Sequence, residues 1–148
     1  MSRFDSAKRV MSGTWGEVWF DGDLVSEVDK FSAKVTYNKS DIGRNGEMGI
    51  DTKVTSYKGT GSVRMHKVNS RMIHLIADEI RNGHDVRFTF IGKLADPDAY
   101  GSERIRYKNV SLDELTLMDW ENNQPGVIET PFTFTDYEVL DSVDSIYE

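Results

Sequence analysis

Hydrophobic and polar positions alternate over most of this chain, and one stretch breaks the rhythm. "WGEVWFDGDLV" (Trp15–Val25) alternates on both sides of Asp21–Gly22, a pair that marks a tight hairpin. "KFSAKVTYN" sets Phe31, Ala33, Val35 and Tyr37 on one face and Ser32, Lys34 and Thr36 on the other, the period of a half-buried strand. "DTKVTSYKGTGSVRMHKV" (Asp51–Val68) reads as a second hairpin turning at "KGTG" through Gly59 and Gly61. The period then changes. In "NSRMIHLIADEIRNG", Met72, Ile73, Ile76, Ala77 and Ile80 form one helical stripe with Leu75 at its margin, opposite Arg71, His74, Asp78 and Arg81. Ser70 is placed to cap this helix and Asn82–Gly83 to stop it. "DVRFTFIGKL" (Asp85–Leu94) returns to a strand, and the polar loop "ADPDAYGS" follows. Glu103–Trp120 holds two strand-like runs with a break near Ser111, and "NNQPG" is a turn cluster. Val127–Leu140 closes the sheet, with Pro131 at an edge or strand start. The predicted fold is mainly β, an antiparallel β-sandwich or barrel with one packed α-helix.

The break is "YNKSDIGRNGEMGIDTK", Tyr37 to Lys53. Loops of this length inside a domain are uncommon and tend to be functional or disordered. Ordering it costs roughly 1–2 kcal/mol per residue, and its apolar content is only Ile42, Met48 and Ile50. The expectation is a loop over residues 38–53 that is mobile in an isolated copy and ordered when a neighbouring subunit buries those side chains. Ser40, Asp41, Ile42, Arg44, Asn45, Met48 and Ile50 are its candidate inter-subunit contacts.

Composition narrows the field. A chain of 148 residues predicts one domain, large enough to bury a core unaided. Cysteine is absent, so disulfides and thiolate metal sites are excluded. "MSRFDSAKRVMSG" lacks the apolar run of a signal peptide, and no stretch approaches the roughly 18 apolar residues of a membrane helix. The expectation is a soluble protein made without export signals. Net charge is −7, but residues 1–108 carry 18 bases against 15 acids while residues 109–148 carry ten acids and no Lys or Arg. The +3 and −10 portions are expected to attract each other across subunit contacts. "TPFTFTDYEVL" is too rich in aromatic and branched residues for an acidic tail, so this third is expected to fold.

No reactive constellation emerges. His66, His74 and His84 match no zinc spacing. "GTGS" lacks the Lys-Ser/Thr ending of a phosphate loop. "DPDAYGSE" opens like a calcium loop with Asp96, Asp98 and Gly101, but Tyr100 and Tyr107 fall where ligands belong. Asp113 and Glu114 are adjacent and would point to opposite faces of a strand. No catalytic, cofactor-binding or metal-binding residue is assigned, and no enzyme activity is expected.

Four segments in order, "GTWGEVWFDGDLVSEVDKFSAKVTYNKSDI", "YKGTGSVRMHKVNSRM", "SERIRYKNV" and "ETPFTFTDYEV", make the chain resemble tail tube (core tail) proteins of contractile phage tails and PBSX-like prophages of Gram-positive bacteria. The resemblance covers nearly the whole chain and is weakest over residues 1–12 and 141–148. It implies a small β-sandwich with one helix, assembled as rings of six stacked into a hollow tube. Strands of successive copies would join into one inner barrel, and the long loop would reach a neighbour. The N-terminal arm (1–12) and C-terminal tail (141–148) would join contacts between rings. The implied partners are the subunit itself, the tail sheath protein, baseplate or tube-initiator and tail-terminator proteins, a tape measure protein in the lumen, and passing DNA. There is no membrane anchor. The implied location is a virion or phage-tail-like particle made in the bacterial cytoplasm, whether a DNA-delivering phage or a DNA-free contractile bacteriocin. Four strands from each of six copies would close at a backbone diameter near 48 Å, given about 4.8 Å between strands and roughly 40° of tilt. An acidic or neutral wall suits such a conduit.

Two readings from other classes compete. A small ligand-binding β-sandwich would use Trp15, Trp19, Trp120, Tyr57 and Tyr107 as a binding surface. A nucleic-acid-binding barrel would use Arg104, Arg106 and Lys108 interleaved with Tyr107 for single-strand stacking.

Overall fold

A computed structural model describes residues 7–99 and 101–143. The side chains of Arg9, Arg71, Met72, Leu75 and Asp78 also lie outside the described set, as do most of the expected C-terminal tail and half of the expected N-terminal arm. Eight strands and one helix follow in order: β1 (Gly16–Phe20), β2 (Asp23–Leu24), β3 (Val28–Gly43), β4 (Ile50–His66), α1 (Arg71–Arg81), β5 (Phe88–Leu94), β6 (Glu103–Leu112), β7 (Val127–Phe134) and β8 (Asp136–Asp141). All strand pairings are antiparallel. The hydrogen-bonded order is β2-β1-β5-β6-β7-β4-β3, with β8 on the free side of β6. This path folds over at β6. Its first part pairs with β5 and β8, and its last two residues pair with β7 (Ser111↔Thr133, Leu112↔Phe132). The result is two facing sheets, the first of β2, β1, β5, β6 and β8, the second of β3, β4, β7 and the end of β6.

The corner has a local cause. Asn109 takes a positive φ of 58°, which turns β6 from one sheet to the other. The chain after β7 crosses at the same place, so the expected single strand over Val127–Leu140 is two strands broken at Thr135. Asn109 Nδ2 donates to Thr135 Oγ1 at 2.7 Å, and Thr135 N–H donates to Lys108 C=O at 3.2 Å. These bonds pin the two crossings together. Pro131 sits in β7 where the β6 ladder ends, and its C=O accepts from Asp113 N–H at 2.9 Å. Its nitrogen therefore faces the side where the ladder stops, and the missing N–H costs no bond.

The hairpin at Asp21–Gly22 forms as expected, with φ values of 49° and 92° at its two turn residues. Asp21 also joins it to β5, its carboxylate accepting from Thr89 N–H at 2.7 Å. The helix ends as its sequence specifies. Gly83 at φ 83° donates to Ile80 C=O at 3.0 Å, and His84 N–H donates to Glu79 C=O at 2.9 Å. This closes the last turn. Ile76 on the expected stripe is buried in the core, while Ile80 is exposed. No helix among the described residues is long and apolar enough to cross a membrane.

Two expectations fail. Residues 114–120 form no strand, so the second run after Ser111 is coil. More consequentially, "KGTG" is no turn: β4 runs unbroken from Ile50 to His66. Gly59 pairs with Phe134 and Gly61 with Phe132 across the β4–β7 ladder. A Cβ on Gly61 would stand 2.6 Å from Phe132 Cζ, and one on Gly59 would overlap the Phe134 ring. These glycines let two aromatic rings lie on the strand backbone. Phe132 is fully buried and meets Phe90 of the first sheet edge-on at 5.3 Å, while Phe134 meets Tyr107 at 5.1 Å. Around these rings lie Val18, Phe20, Val63, Met65, Phe88, Val110 and Ile128.

Gly61→Ala is expected to cost about 1–3 kcal/mol by overpacking. Gly43, with nothing within 4 Å of a built Cβ, should accept alanine within about 0.5 kcal/mol. Urea unfolding midpoints of the two variants test the contrast.

Candidate assembly interface

The stretch expected as a loop is mostly strand. β3 continues to Gly43 and β4 begins at Ile50, leaving residues 44–49 as the connection. β7 accompanies β4 only over Gly59–His66. Beyond Tyr57 the two strands therefore have only each other and project from the sandwich as a ribbon. A two-stranded ribbon alone is marginally stable in water, so its pairing details matter.

One detail is a bulge. Asn38 pairs with Ser56 but Lys39 pairs with Val54, leaving Thr55 as the extra residue. Thr55 Oγ1 donates to Asn38 C=O at 3.2 Å, and Asn38 Nδ2 donates to Ser56 Oγ at 2.9 Å. Side chains alternate faces along a strand, so one extra residue re-phases everything beyond it. Without the bulge, Val54, Thr52 and Ile50 would face away from Tyr57. With it, Ile50, Val54, Tyr57 and Tyr37 share the face that continues the sandwich interior. That face is bare in the isolated chain: Ile50 is 67% exposed, Tyr37 54% and Val54 49%. The opposite face pairs Thr36 with Lys58, Ser40 with Lys53 and Ile42 with Asp51. It extends outer rows of the second sheet formed by Lys30, Arg64 and Glu129, by Ser32, Ser62 and Pro131, and by Lys34, Thr60 and Thr133.

The expected contact residues thus fall on three surfaces. Asp41 and Ile50 lie on the inner face of the ribbon, Ser40 and Ile42 on its outer face, and Arg44, Asn45 and Met48 in its tip. Arg44 closes the tip by an ion pair with Glu47 at 2.7 Å, and Met48 is completely exposed. The sequence reading did not count Tyr37, Val54 and Tyr57 as contacts, and the bulge hides from simple alternation that Val54 shares the face of the two tyrosines. It also missed Tyr137 and Val139 of β8, which face inward on the first sheet yet stay partly bare. Tyr137 meets Tyr57 edge-on at 6.5 Å. The interiors of the two sheets therefore diverge where the ribbon leaves.

The sandwich is open along another side as well. A groove of about 540 Å³ lies between the first half of β3 and the first sheet. Phe31, Ala33, Leu94, Ile105 and Tyr107 line it, with Glu17, Asp29, Lys30, Lys93 and Glu103 also bordering it. Arg64 donates from Nε to Asp29 Oδ1 at 3.0 Å, and this bond holds the Asp29 carboxyl below its usual range. Burial, and then the Glu103 carboxylate, push the Tyr107 phenol up. Among the described residues β3 has no partner strand on its outer edge.

Other candidate chemistry resolves into structure. Asp96 is buried, and its carboxylate accepts from Ser12 N–H at 2.8 Å and Asp98 N–H at 2.9 Å, so it anchors the N-terminal segment and its own turn. Tyr100 of that loop lies outside the described residues. No group of three or more His, Asp or Glu side chains placed to hold a metal occurs among the described residues. Arg104, Arg106 and Lys108 face outward from β6 while Tyr107 faces the core, so they share no stacking surface. Each of these bases meets an acid of β8: Arg104–Asp141 at 3.1 Å, Arg106–Glu138 at 3.3 Å and Lys108–Glu138 at 3.3 Å. Part of the charge split is thus neutralised within one chain. Trp19 and Tyr107 lie on opposite faces of the first sheet and Tyr57 on the ribbon, so the aromatics of the ligand-binding reading do not converge.

A sequence model of the family described as phage tail tube protein matches residues 4–141. The chain belongs to the phage tail tube family. It is 29% identical over 143 residues to the phage-like element PBSX protein XkdM of Bacillus subtilis (strain 168), covering 95% of this chain and 97% of that one. A solved structural-genomics protein of Bacillus subtilis shares 31% identity with a TM-score of 0.53, covering 91% of this chain and 98% of its own. At 12% identity, the fold also matches a chain of the sheath–tube complex of the extracellular contractile injection system PVC, with a TM-score of 0.66 over 95% of this chain and all of that one.

The geometry of this tail tube protein makes two predictions. Inserting one residue between Asn38 and Lys39, opposite Thr55, should fill the bulge and turn Ile50 and Val54 to the outer face; the monomer should keep its fold, and assembly measured by sedimentation should fall about tenfold or more. The second concerns pH. The folded chain keeps the Tyr107 proton above the pH near 10 at which an unfolded tyrosine loses it. Stability must therefore fall as pH rises above about 10. Tyr107→Phe should flatten that decline in urea midpoints measured across the alkaline range.

Proposed function

We propose that this chain is the repeating subunit of an inner tail tube, built from stacked rings of six copies around a hollow channel. The observation that carries this reading is the inner face of the ribbon. A bulge brings Ile50 and Val54 onto the face of Tyr37 and Tyr57 that continues the core, yet among the described residues nothing buries these four side chains, which stay 44% to 67% exposed. Apolar side chains arranged so regularly on a thin ribbon are costly to leave in water. A sister subunit is the natural cover, because the second sheet also ends in an unpaired β3 edge. That sheet counts β3, β4, β7 and the end of β6, and four strands per copy is what a closed 24-strand barrel near 48 Å across requires.

Under this reading the tube sits inside a sheath and is capped by baseplate and terminator proteins. A tape measure protein occupies the lumen during assembly. The channel then passes DNA in a phage, or serves as the puncturing shaft of a DNA-free particle. The subunit does no bond-making chemistry; its function is shape.

Ile50→Ser with Val54→Ser should leave the monomer within about 0.5 kcal/mol of the parent in urea, since both side chains are already exposed. Concentrated protein viewed by electron microscopy should show tubes or rings for the parent and none for the double variant. Tubes of normal length from the variant would refute the ribbon contact, and compact monomers from the parent even with a baseplate seed would refute the tube.

A further inference from the structure

One strand-like run in the sequence goes unused in the isolated chain. Residues 113–121, "DELTLMDWE", leave the end of β6 and continue as coil. Leu115 packs against the core, but Leu117, Met118 and Trp120 stand 66%, 79% and 77% exposed. Asp113, Glu114, Asp119 and Glu121 meet no base at ion-pair distance among the described residues. The far edge of the same sheet has the opposite deficits. Among the described residues β3 lacks a partner strand on its outer edge, and its Lys30 and Lys34 meet no acid at ion-pair distance. Between β3 and the first sheet lies the groove of about 540 Å³, with Phe31 and Ala33 on its β3 side. Resting on the tail-tube reading above, we propose that residues 117–121 of one copy add as a strand to the β3 edge of the next. Met118 and Trp120 enter that copy's groove, and Asp119 and Glu121 meet its Lys30 and Lys34.

Alternation, direction and topology agree. β3 turns Phe31 and Ala33 inward and Lys30, Ser32 and Lys34 outward. Once extended, residues 117–121 place Met118 and Trp120 on one face and Leu117, Asp119 and Glu121 on the other. Apolar side chains thus meet apolar ones on the inner face, and acids meet bases across strands on the outer. The order β6-β7-β4-β3, antiparallel at each pairing, makes β6 and β3 run in opposite directions. A segment continuing β6 therefore meets the next copy's β3 antiparallel, and the bare main-chain groups of that edge gain partners. The segment lengthens the fourth strand position of the second sheet and adds no fifth, so four strands per copy still stand. The groove's volume lies within the roughly 300–1,000 Å³ that enclose a compact ligand, and tryptophan is among the side chains that most often anchor an interface. Edge and segment are different surfaces, so the contact is heterologous and repeats from copy to copy around a ring.

Two measurements decide the proposal, and the absence of cysteine permits the first. Ala33→Cys chains mixed before assembly with Met118→Cys or Trp120→Cys chains should form a cross-linked dimer with a short bismaleimide. Lys108→Cys chains in the same role should form none. No dimer with either segment variant, or a dimer from Ala33→Cys chains alone, would overturn the contact. The second measurement exchanges charge. Lys30→Glu with Lys34→Glu, or Asp119→Lys with Glu121→Lys, should each lower the sedimented tube yield about tenfold or more, and all four changes in one chain should restore it to within about threefold of the parent. All four side chains are exposed, so the monomers should keep the parent's circular dichroism. Folded monomers whose fourfold variant recovers no better than its halves would overturn the pairing. A parent chain that makes no tubes rejects the tail-tube reading instead. Cross-linking of the same pairs in concentrated protein then decides the contact alone, a dimer upholding it and none overturning it.

Discussion

Phe132 and Phe134 lying on the glycine backbone of β4 set the phase of everything beyond them. A ring can approach a strand that closely only where the facing residue has no side chain. Gly59 and Gly61 provide two such places, two residues apart. A slip of β4 by one residue would set Thr60 and Ser62 under the rings and carry every inner side chain to the outside. The rings therefore fix one register between β4 and β7. Because β4 is continuous, that register propagates through Tyr57 and the Thr55 bulge to the last residue of the ribbon. The core and the projecting surface are specified by the same contact.

The sequence shows this logic unevenly. Local signals suffice where the cause is local: Asp21–Gly22 needs its positive φ values, and Gly83 closes the helix through neighbours a few residues away. The alternation through Phe31, Ala33 and Val35 identifies the inner face of β3 correctly. "KGTG" misleads because glycine is read first as a turn residue. Its actual partners stand some seventy positions later, and nothing local distinguishes a ring seat from a reversal. "NKSDIGRNGEMGIDTK" misleads for a different reason. A bulge shifts the alternation by one, so Val54 and Ile50 fall out of phase with Tyr57 and the stretch looks aperiodic. The family resemblance points to the right fold class and to the segment that stands bare. It does not divide that segment into an inner face, an outer face and a tip.

Charge is legible as a total and misleading as a map. Splitting the chain at residue 108 suggests a basic part seeking an acidic part elsewhere. In the fold the split falls within β6 and the acids return beside it on β8, so three of the bases are answered within the chain. Exposed pairs of this kind contribute little stability. Their consequence is positional: they answer the bases of β6 within the first sheet, whereas Lys30, Lys34, Lys53 and Lys58 of the second sheet meet no acid at ion-pair distance among the described residues. The asymmetry that matters lies between two faces of a sandwich rather than between two ends of a sequence.

An open edge and a bare apolar face are hazards for any protein that waits in solution for its partners. Strand edges pair with whatever is available, and lysine along an edge is a common defence. β3 carries Lys30, Lys34 and Lys39 along its unpaired length. Each indiscriminate pairing would bring these charges beside another copy of themselves, which disfavours two β3 edges meeting head to head. A contact between β3 and a different edge carries no such penalty. The consequence is a bias toward heterologous contacts, in which one surface of a copy meets a different surface of the next. Such contacts repeat around a ring when the rotation closes, and they propagate when it does not. The same lysines that guard the edge of a free copy therefore favour contacts of one surface with a different one, the kind of contact that the proposed ring requires.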